Sequence, residues 1–279
     1  MNVLITGSKG FIGSNLISFL KKHHSSGIKV DGFDQDLSQI PKYPDCSKYD
    51  WVIHLGAISS TTEKDVNKIL KYNLDYSVKL MSLCESQNCN FQYASSASVY
   101  GNTGNFSENG PIYPLNAYAW SKYLFDRHVA KTQSNSKVLI QGFRYFNVYG
   151  NNEELKGDQA SPVTKFTQQA KSSKIIKLFK NSDNYFRDFV CVKDICLVHL
   201  SMLSQNVSGI FNVGTGAPIS FQEVGDLISK KYNADINYIP MPENLKDQYQ
   251  SYTKSDTSKL KKYFDLNFMS VKDFLLKQS

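Results

Sequence analysis

Tyr118 and Lys122, in the stretch YAWSK, put a phenol and an ammonium four residues apart, a spacing that brings them to one face of a helix. A phenol ionises at about pH 10 in water, and a neighbouring positive charge favours the phenolate, so the pair can make a proton acceptor near neutrality. The same spacing also fits an ordinary exposed helix face. A second chemistry sits at the start of the chain, where the apolar run NVLIT leads into GSKGFIG and then into an amphipathic segment over about residues 11–23. Strand, glycine turn and helix in this order bind phosphate: Gly7 permits the tight turn, Gly10 lets a pyrophosphate approach the backbone, and Gly13 lets helix and strand pack closely. A second strand at 28–33 ends at Asp34, 21 positions after Gly13, where a carboxylate accepts hydrogen bonds from adenosine ribose hydroxyls.

Residues so placed need strands that end side by side and helices that begin there. Strand character recurs at 51–55, 90–94 and 138–143, with helical stretches at about 66–85 and 117–131 between. This alternation predicts an α/β fold, a Rossmann-like doubly wound parallel sheet with helices on both faces. Ligands of such sheets gather at the carboxyl ends of the strands, and the hydroxyl-rich segments GAISSTTE (56–63) and SSASVYG (95–101) follow the third and fourth strands. Beyond Arg144 the pattern is less regular. GFRYFNVYG runs into NNEELKG, which carries Lys156, and is followed by a helix-like stretch at 162–171, the basic-aromatic LFKNSDNYFRDFV, a strand-helix unit at 189–204 and GIFNVGTG. No repeat or low-complexity linker separates two lobes. A smaller mixed α/β substrate lobe built from C-terminal insertions is therefore expected, with residues 1–145, 188–218 and 251–263 in the dinucleotide-binding domain and 146–187, 219–250 and 264–279 in the lobe.

Composition narrows the classes. The 279 residues suffice for one such domain and a lobe, and no apolar run approaches the roughly 20 residues of a membrane span. Met1 leads directly into the first strand without a signal peptide, so a cytoplasmic protein is expected. Five cysteines without a CxxC pair fit free thiols in a reducing compartment, and five scattered histidines give metal binding no support. The net charge of +7 comes without a dense basic tract, which argues against nucleic acid and fits an anionic small molecule.

Taken together, GSKGFIG, the run Asp50 to Ala57 (DWVIHLGA), the serine of SSA, YAWSK and GFRYFNVYG resemble the extended short-chain dehydrogenase/reductase superfamily. Over nearly its whole length the chain is similar to the ADP-L-glycero-D-manno-heptose 6-epimerase family. YASSASVYG, PLNAYAWSKYLFD, GFRYFNVYG followed by LKG, LFKNSDNYFRDFV, SGIFNVGTG with SFQEV, and YIPMPENLKDQYQSYTKSD match its local patterns in order.

The resemblance implies a bound NADP, with NAD left open, a nucleotide-sugar substrate and a homo-oligomer. It places Phe11 and Ile12 at the glycine turn, Asp34 and Gln35 at the ribose, Gly56, Ala57, Ile58, Ser59 and Ser60 along the dinucleotide, and Asn73 and Val148 as further cofactor contacts. Ser96, Tyr118 and Lys122 match the family's catalytic serine, tyrosine and lysine, and Lys122 also binds nicotinamide ribose. Lys156 matches a second proton-transfer lysine that also contacts cofactor. Asn147, Asp158, Lys165, Phe179, Lys180, Asn181, Ser182, Arg187 and Tyr249 fall at substrate positions, a guanidinium being suited to bidentate capture of a diphosphate. Two proton-transfer groups suit this reaction. The heptose C6 has no acidic hydrogen, so inversion requires oxidation to a carbonyl and return of hydride to the opposite face, and each orientation presents the oxygen to a different protein group. Acid-base work by Lys156 would call for burial or a neighbouring cation.

Several positions depart from the family pattern. The segment after Asp34 is short, and Lys42 is the nearest candidate for a 2′-phosphate, which Asp34 itself would repel if it points inward. Asp158 stands where the family has serine, and Lys165 where it has histidine. Ala97 and Ser98 occupy the place where 4,6-dehydratases carry acids, so dehydration is disfavoured. A GDP-heptose enzyme or a UDP-hexose 4-epimerase remains the enzymatic alternative. A non-catalytic dinucleotide-sensing module would be expected to have lost one of Ser96, Tyr118 and Lys122.

Overall fold

A computed structural model describes residues 1–23, 27–61, 63–242, 250–265 and 267–277. The apolar run at the N-terminus forms β1 (Asn2–Thr6), buried from Val3 onward. The glycine turn starts α1 (Phe11–Lys22), whose Leu16 and Leu20 face the sheet while Lys21 and Lys22 complement the negative end of the helix dipole. Then come β2 (Lys29–Phe33), the fully buried β3 (Trp51–His54), α2 (Val66–Leu70) and α3 (Tyr76–Ser86). A single π-helical turn, Lys71–Asp75, joins α2 to α3 without breaking the helix. After β4 (Asn90–Ser96), Asn116 caps α4 (Ala117–Thr132) by accepting the Ala119 N–H at 2.9 Å.

The fifth strand, β5, spans Ile140–Tyr145, two residues later than expected. The Val138 and Leu139 N–H groups bond to the side chains of Ser136 and Asn90 instead of a strand, and ladder pairing begins at Phe91 opposite Ile140. The chain continues through β6 (Asn147–Tyr149), α5 (Pro162–Ser173), β7 (Ile175–Phe179), β8 (Phe186–Arg187), β9 (Phe189–Cys191), α6 (Val192–Met202), β10 (Gly209–Val213), β11 (Ile219–Ser220), α7 (Phe221–Tyr232), β12 (Asp235–Ile239) and α8 (Val271–Lys277).

Six strands make one parallel sheet in the order β10-β5-β4-β3-β1-β2. Helices cover both faces, as expected. Val3, Ile5 and Ile53 pack on α1 and α6 through Leu16, Leu20 and Cys196, while Leu4, Val52 and Phe91 pack on α3 and α4 through Leu80 and Phe125. The chain leaves β1 for β2 on one side and for β3 on the other, so the switch point of the sheet lies between β1 and β3. The short segment between β2 and β3 forms no strand, only a 3-10 turn at Cys46–Lys48 whose buried cysteine packs into the α3 face, and β2 is left as the sheet edge. Register pairs Thr6 with Phe33 and with His54, and Ser96 with Tyr145. The carboxyl ends of the strands are thereby level, and the segments that follow them share one rim.

The remaining strands pair as β6 with β9, β7 with β12 and β8 with β11. They surround a second core in which Phe166 of α5, Val224 and Ile228 of α7 and Phe274 of α8 meet Tyr149, Leu178 and Phe189. All five cysteines are free and buried. No helix among the described residues is long and apolar enough to cross a membrane.

Two imidazoles hold the sheet from inside. His54 accepts from Thr6 Oγ1 at 2.6 Å and donates to Ser77 Oγ at 2.9 Å, the tautomer being set by Ser77, which itself donates to the Asn73 carbonyl. His199 accepts from the Tyr145 hydroxyl at 2.5 Å and donates to Gln92 Oε1 at 2.7 Å. Each ring is neutral with both nitrogens engaged, and burial pushes each pKa from 6.5 down to about 3. Between those values the unfolded chain binds protons that the folded one refuses, so the stabilising contribution is complete above 6.5 and is lost as pH falls toward 3. The urea midpoint should therefore drop from about pH 7 to about pH 4, and His199→Asn, though less stable at neutrality, should show a shallower acid slope. Parallel slopes for the two proteins would refute this account.

Candidate active site

Backbone contact between two turns explains the glycines. Gly7 has φ 71°, and a Cβ there would lie 2.6 Å from the Gly56 nitrogen; a Cβ on Gly13 would lie 2.1 Å from the Gly7 oxygen. Gly10 caps α1 without a side chain, which leaves the N–H groups of the first helical turn facing an open space. That space is a cavity of about 690 Å³, lined by Gly7, Gly10, Phe11, Ile12 and Gly13 on this side. An uncapped helix end, a close glycine contact and an adjoining smaller cavity fit the diphosphate of a dinucleotide.

The smaller cavity, about 170 Å³, shares Gly7 and Ala57 with the larger and is lined by Asp34, Gln35, Leu37, His54, Tyr72 and Tyr76, with Gly56 at its floor. Its aromatic walls suit an adenine. Asp34 is turned to the glycine turn, accepting from the Ser8 hydroxyl and, at 3.1 Å, from the Lys9 N–H. Gln35 Oε1 accepts the Lys42 N–H at 2.9 Å.

Asn73, expected as a cofactor contact, is also bonded to the protein. From the π turn, its Oδ1 accepts the Ile58 N–H at 2.8 Å, and its Nδ2 donates to the Ile58 carbonyl at 3.0 Å and to Ser121 Oγ at 3.1 Å. These bonds clamp the Ile58 backbone within the 56–60 loop. Ala57 and Ser59 line the large cavity; Ser60 lines neither.

Ser96, at the end of β4, and Tyr118 and Lys122, in the first turns of α4, meet across the large cavity. Lys122 Nζ donates to the Ala94 carbonyl at 2.9 Å and stands 5.9 Å from the centre of the Tyr118 ring. Burial pushes the Lys122 ammonium down to about 8, against the pull of the Asp126 carboxylate. For Tyr118 the expectation of a favoured phenolate is corrected. Removal from water pushes its pKa up, and a hydrogen bond from Ser96 only works against that. In the protein alone desolvation outweighs that hydrogen bond.

Lys156 enters from the 3-10 turn Glu153–Gln159 and lines the same cavity, with Asn147, Val148 and Arg187. It is not fully buried: its side chain is 29% exposed, and its partner among the described residues is the Glu153 carboxylate at 3.6 Å. Nζ also lies 5.5 Å above the Phe11 ring.

Other expected substrate residues are not brought to the cavity. Asp158 is exposed just after Gly157, whose φ of 52° turns the chain outward, and Lys165 lies on α5 beyond Pro162, the last residue of that helix to line it. Phe179, Lys180, Asn181 and Ser182 close the end of β7, where the Lys180 N–H bonds the Ile239 carbonyl at 2.9 Å and Ser182 Oγ donates to Gln222 at 2.7 Å. Tyr249 lies outside the described residues. Sequence reasoning passed over Tyr145, whose ring lines the cavity while its hydroxyl turns inward to His199, and Ser98, whose buried Oγ has no hydrogen-bond partner at the cavity wall. It also passed over Glu153. The aromatic in GFRYFNVYG was a visible signal; a glutamate in NNEEL was not.

The chain resembles known proteins in sequence and in fold. The chain is 37% identical to an ADP-L-glycero-D-manno-heptose-6-epimerase of Brachyspira hyodysenteriae over 298 residues, covering 96% of this chain and 94% of the relative. Its fold matches the ADP-L-glycero-D-manno-heptose-6-epimerase of Helicobacter pylori with a TM-score of 0.84 at 26% identity, covering 99% and 94% of the two chains. A UDP-N-acetylglucosamine 4-epimerase of Methanobrevibacter ruminantium matches at 0.85 and 21% identity, over 99% and 97%, a likeness of fold alone. The model of the NAD dependent epimerase/dehydratase family matches residues 3–214. Glycine turn, level strand ends and the Ser96, Tyr118 and Lys122 cluster agree with that match, and the chain belongs to the NAD dependent epimerase/dehydratase family.

Proposed function

We propose that the protein inverts C6 of an ADP-activated manno-heptose, converting ADP-D-glycero-D-manno-heptose to ADP-L-glycero-D-manno-heptose. The observation that carries this reading is the presence of two proton-transfer side chains from separate elements, Tyr118 and Lys156, on the wall of one cavity. The names of the Brachyspira and Helicobacter relatives support the same substrate. A bound nicotinamide dinucleotide supplies the acceptor and donor of the C6 hydride. With the C6 oxygen toward α4, Tyr118 exchanges its proton while Ser96 donates a hydrogen bond to it and Lys122 lends positive charge nearby. With the sugar turned over, the oxygen faces Lys156, whose ammonium donates. Arg187 and Asn147, which line the same cavity, are suited to hold the diphosphate and sugar through the turn.

NADP is the dinucleotide favoured. Its support is Lys42, whose N–H is held by Gln35 and whose carbonyl accepts from Tyr76 at 3.1 Å, which anchors it at the rim of the adenosine cavity. Asp34 accepts from Ser8 and from the Lys9 N–H, which engages its oxygens but leaves its negative charge beside the same cavity.

Tyr118→Phe and Lys156→Met should each slow epimerisation by about 10²- to 10⁴-fold, followed by NMR of the C6 configuration. Near-full turnover by either variant removes it from the mechanism, and C4 conversion of a UDP-hexose in place of heptose turnover would replace the substrate. Lys42→Ala should weaken NADP binding while leaving NAD binding unchanged. Tighter binding of NAD by the unaltered protein would overturn the cofactor assignment.

A further inference from the structure

Glu153 is fully buried, yet it carries a carboxylate. Its Oε1 accepts the Ser161 N–H at 2.7 Å, and its Oε2 accepts the Ser161 hydroxyl at 2.7 Å and the Thr164 hydroxyl at 2.5 Å. Ser161 is the cap of α5, so the carboxylate closes the positive end of that helix. These bonds satisfy oxygens, but they do not neutralise a charge. Among the described residues the cation paired with Glu153 is Lys156, three residues on in the same 3-10 turn, at 3.6 Å from Oε1.

Lys156 is therefore held from two sides. Glu153 fixes one side of the ammonium, and the face of Phe11 lies 5.5 Å from it on another. Phe11 opens α1 directly after the glycine turn, so the ammonium is tied to the dinucleotide end of the cavity and to the start of α5 at once. A solvated loop lysine would have no such anchors. A side chain with four rotatable bonds gains its working geometry only from what restrains it.

We propose that Glu153 is the positioning residue for Lys156: its buried carboxylate aims the ammonium into the cavity and so completes the second of the two proton-transfer sites. The inference rests on the role given to Lys156 above. Glu153 does not itself line the cavity and acts only through the lysine.

The test uses the full-length protein, with kcat and KM on the ADP-heptose and the thermal midpoint measured for each variant. Glu153→Gln keeps an acceptor for Ser161 and Thr164 and removes the charge. It should lose about 100-fold in kcat with KM little changed, and adding it to Lys156→Met should slow the residual turnover no further. Thr164→Val, which removes one bond to the carboxylate and leaves the charge, should keep kcat near that of the unaltered protein. Wild-type kcat for Glu153→Gln beside an inactive Lys156→Met overturns the positioning role alone, as does a loss in Thr164→Val equal to that of Glu153→Gln. Full activity of Lys156→Met instead overturns the role of the lysine. If Glu153→Gln does not fold, Glu153→Asp carries the test, its carboxylate being one methylene further from Nζ. Its kcat should fall only when Lys156 is present, and equal losses with and without Lys156 overturn the proposal.

Discussion

The buried ion pair between Asp126 and Arg144, 2.8 Å long and almost wholly withdrawn from water, is the joint on which the catalytic rim depends. Asp126 lies on α4 one turn beyond Lys122, and besides Arg144 it accepts from Tyr93 and Ser95, each at 2.9 Å. Arg144 reaches on to the Tyr100 hydroxyl, which donates to Asn212 of β10. One carboxylate thus fastens α4 to the ends of β4 and β5, and through Tyr100 to β10. Truncating one partner of such a pair costs about 3–5 kcal/mol, because the other is left buried and unmatched. The same charge also opposes the desolvation of Lys122, so the joint that fixes the helix tunes its catalytic lysine as well.

The two side chains proposed for proton transfer are held by opposite means. Tyr118 stands on a long helix packed against the sheet, where position comes from rigid elements and the local chemistry is set by burial. Lys156 stands on a short irregular turn and owes its place to one buried anion and one aromatic ring. A reaction that must meet its substrate in two orientations has one fixed wall and one tethered arm.

Local pattern carried most of the first domain. NVLIT before GSKGFIG, and the alternation that followed, made the parallel sheet legible because those signals lie within a few residues of each other. The late start of β5 was hidden because Val138 and Leu139 look like strand residues, while their N–H groups are claimed by Ser136 nearby and by Asn90 across the sheet. The direction of the Tyr118 shift was equally hidden: spacing shows which charges are neighbours but not how much water is excluded around them. Matching positions to a family does not show that Asn73 bonds Ile58 and Ser121, or that Asp158 and Lys165 do not line the cavity. Lys156 was legible as a lysine after FNVYG, and its tether was not, because nothing in NNEEL shows that Glu153 is buried beside it.

The π turn at Lys71–Asp75 means that the helical run over 66–86 holds one residue more than an α-helix of the same span would. The halves on either side are offset by that residue, which is about 100° of rotation. Asn73, on the surplus turn, reaches the Ile58 backbone, while Ser77 beyond it still meets His54. Deleting one residue anywhere in the turn would give a smoother helix and swing one of these two side chains off its target. The irregularity therefore lets a single helix serve the sheet core and the dinucleotide loop in different angular registers, so this region should tolerate substitution far better than a change of length.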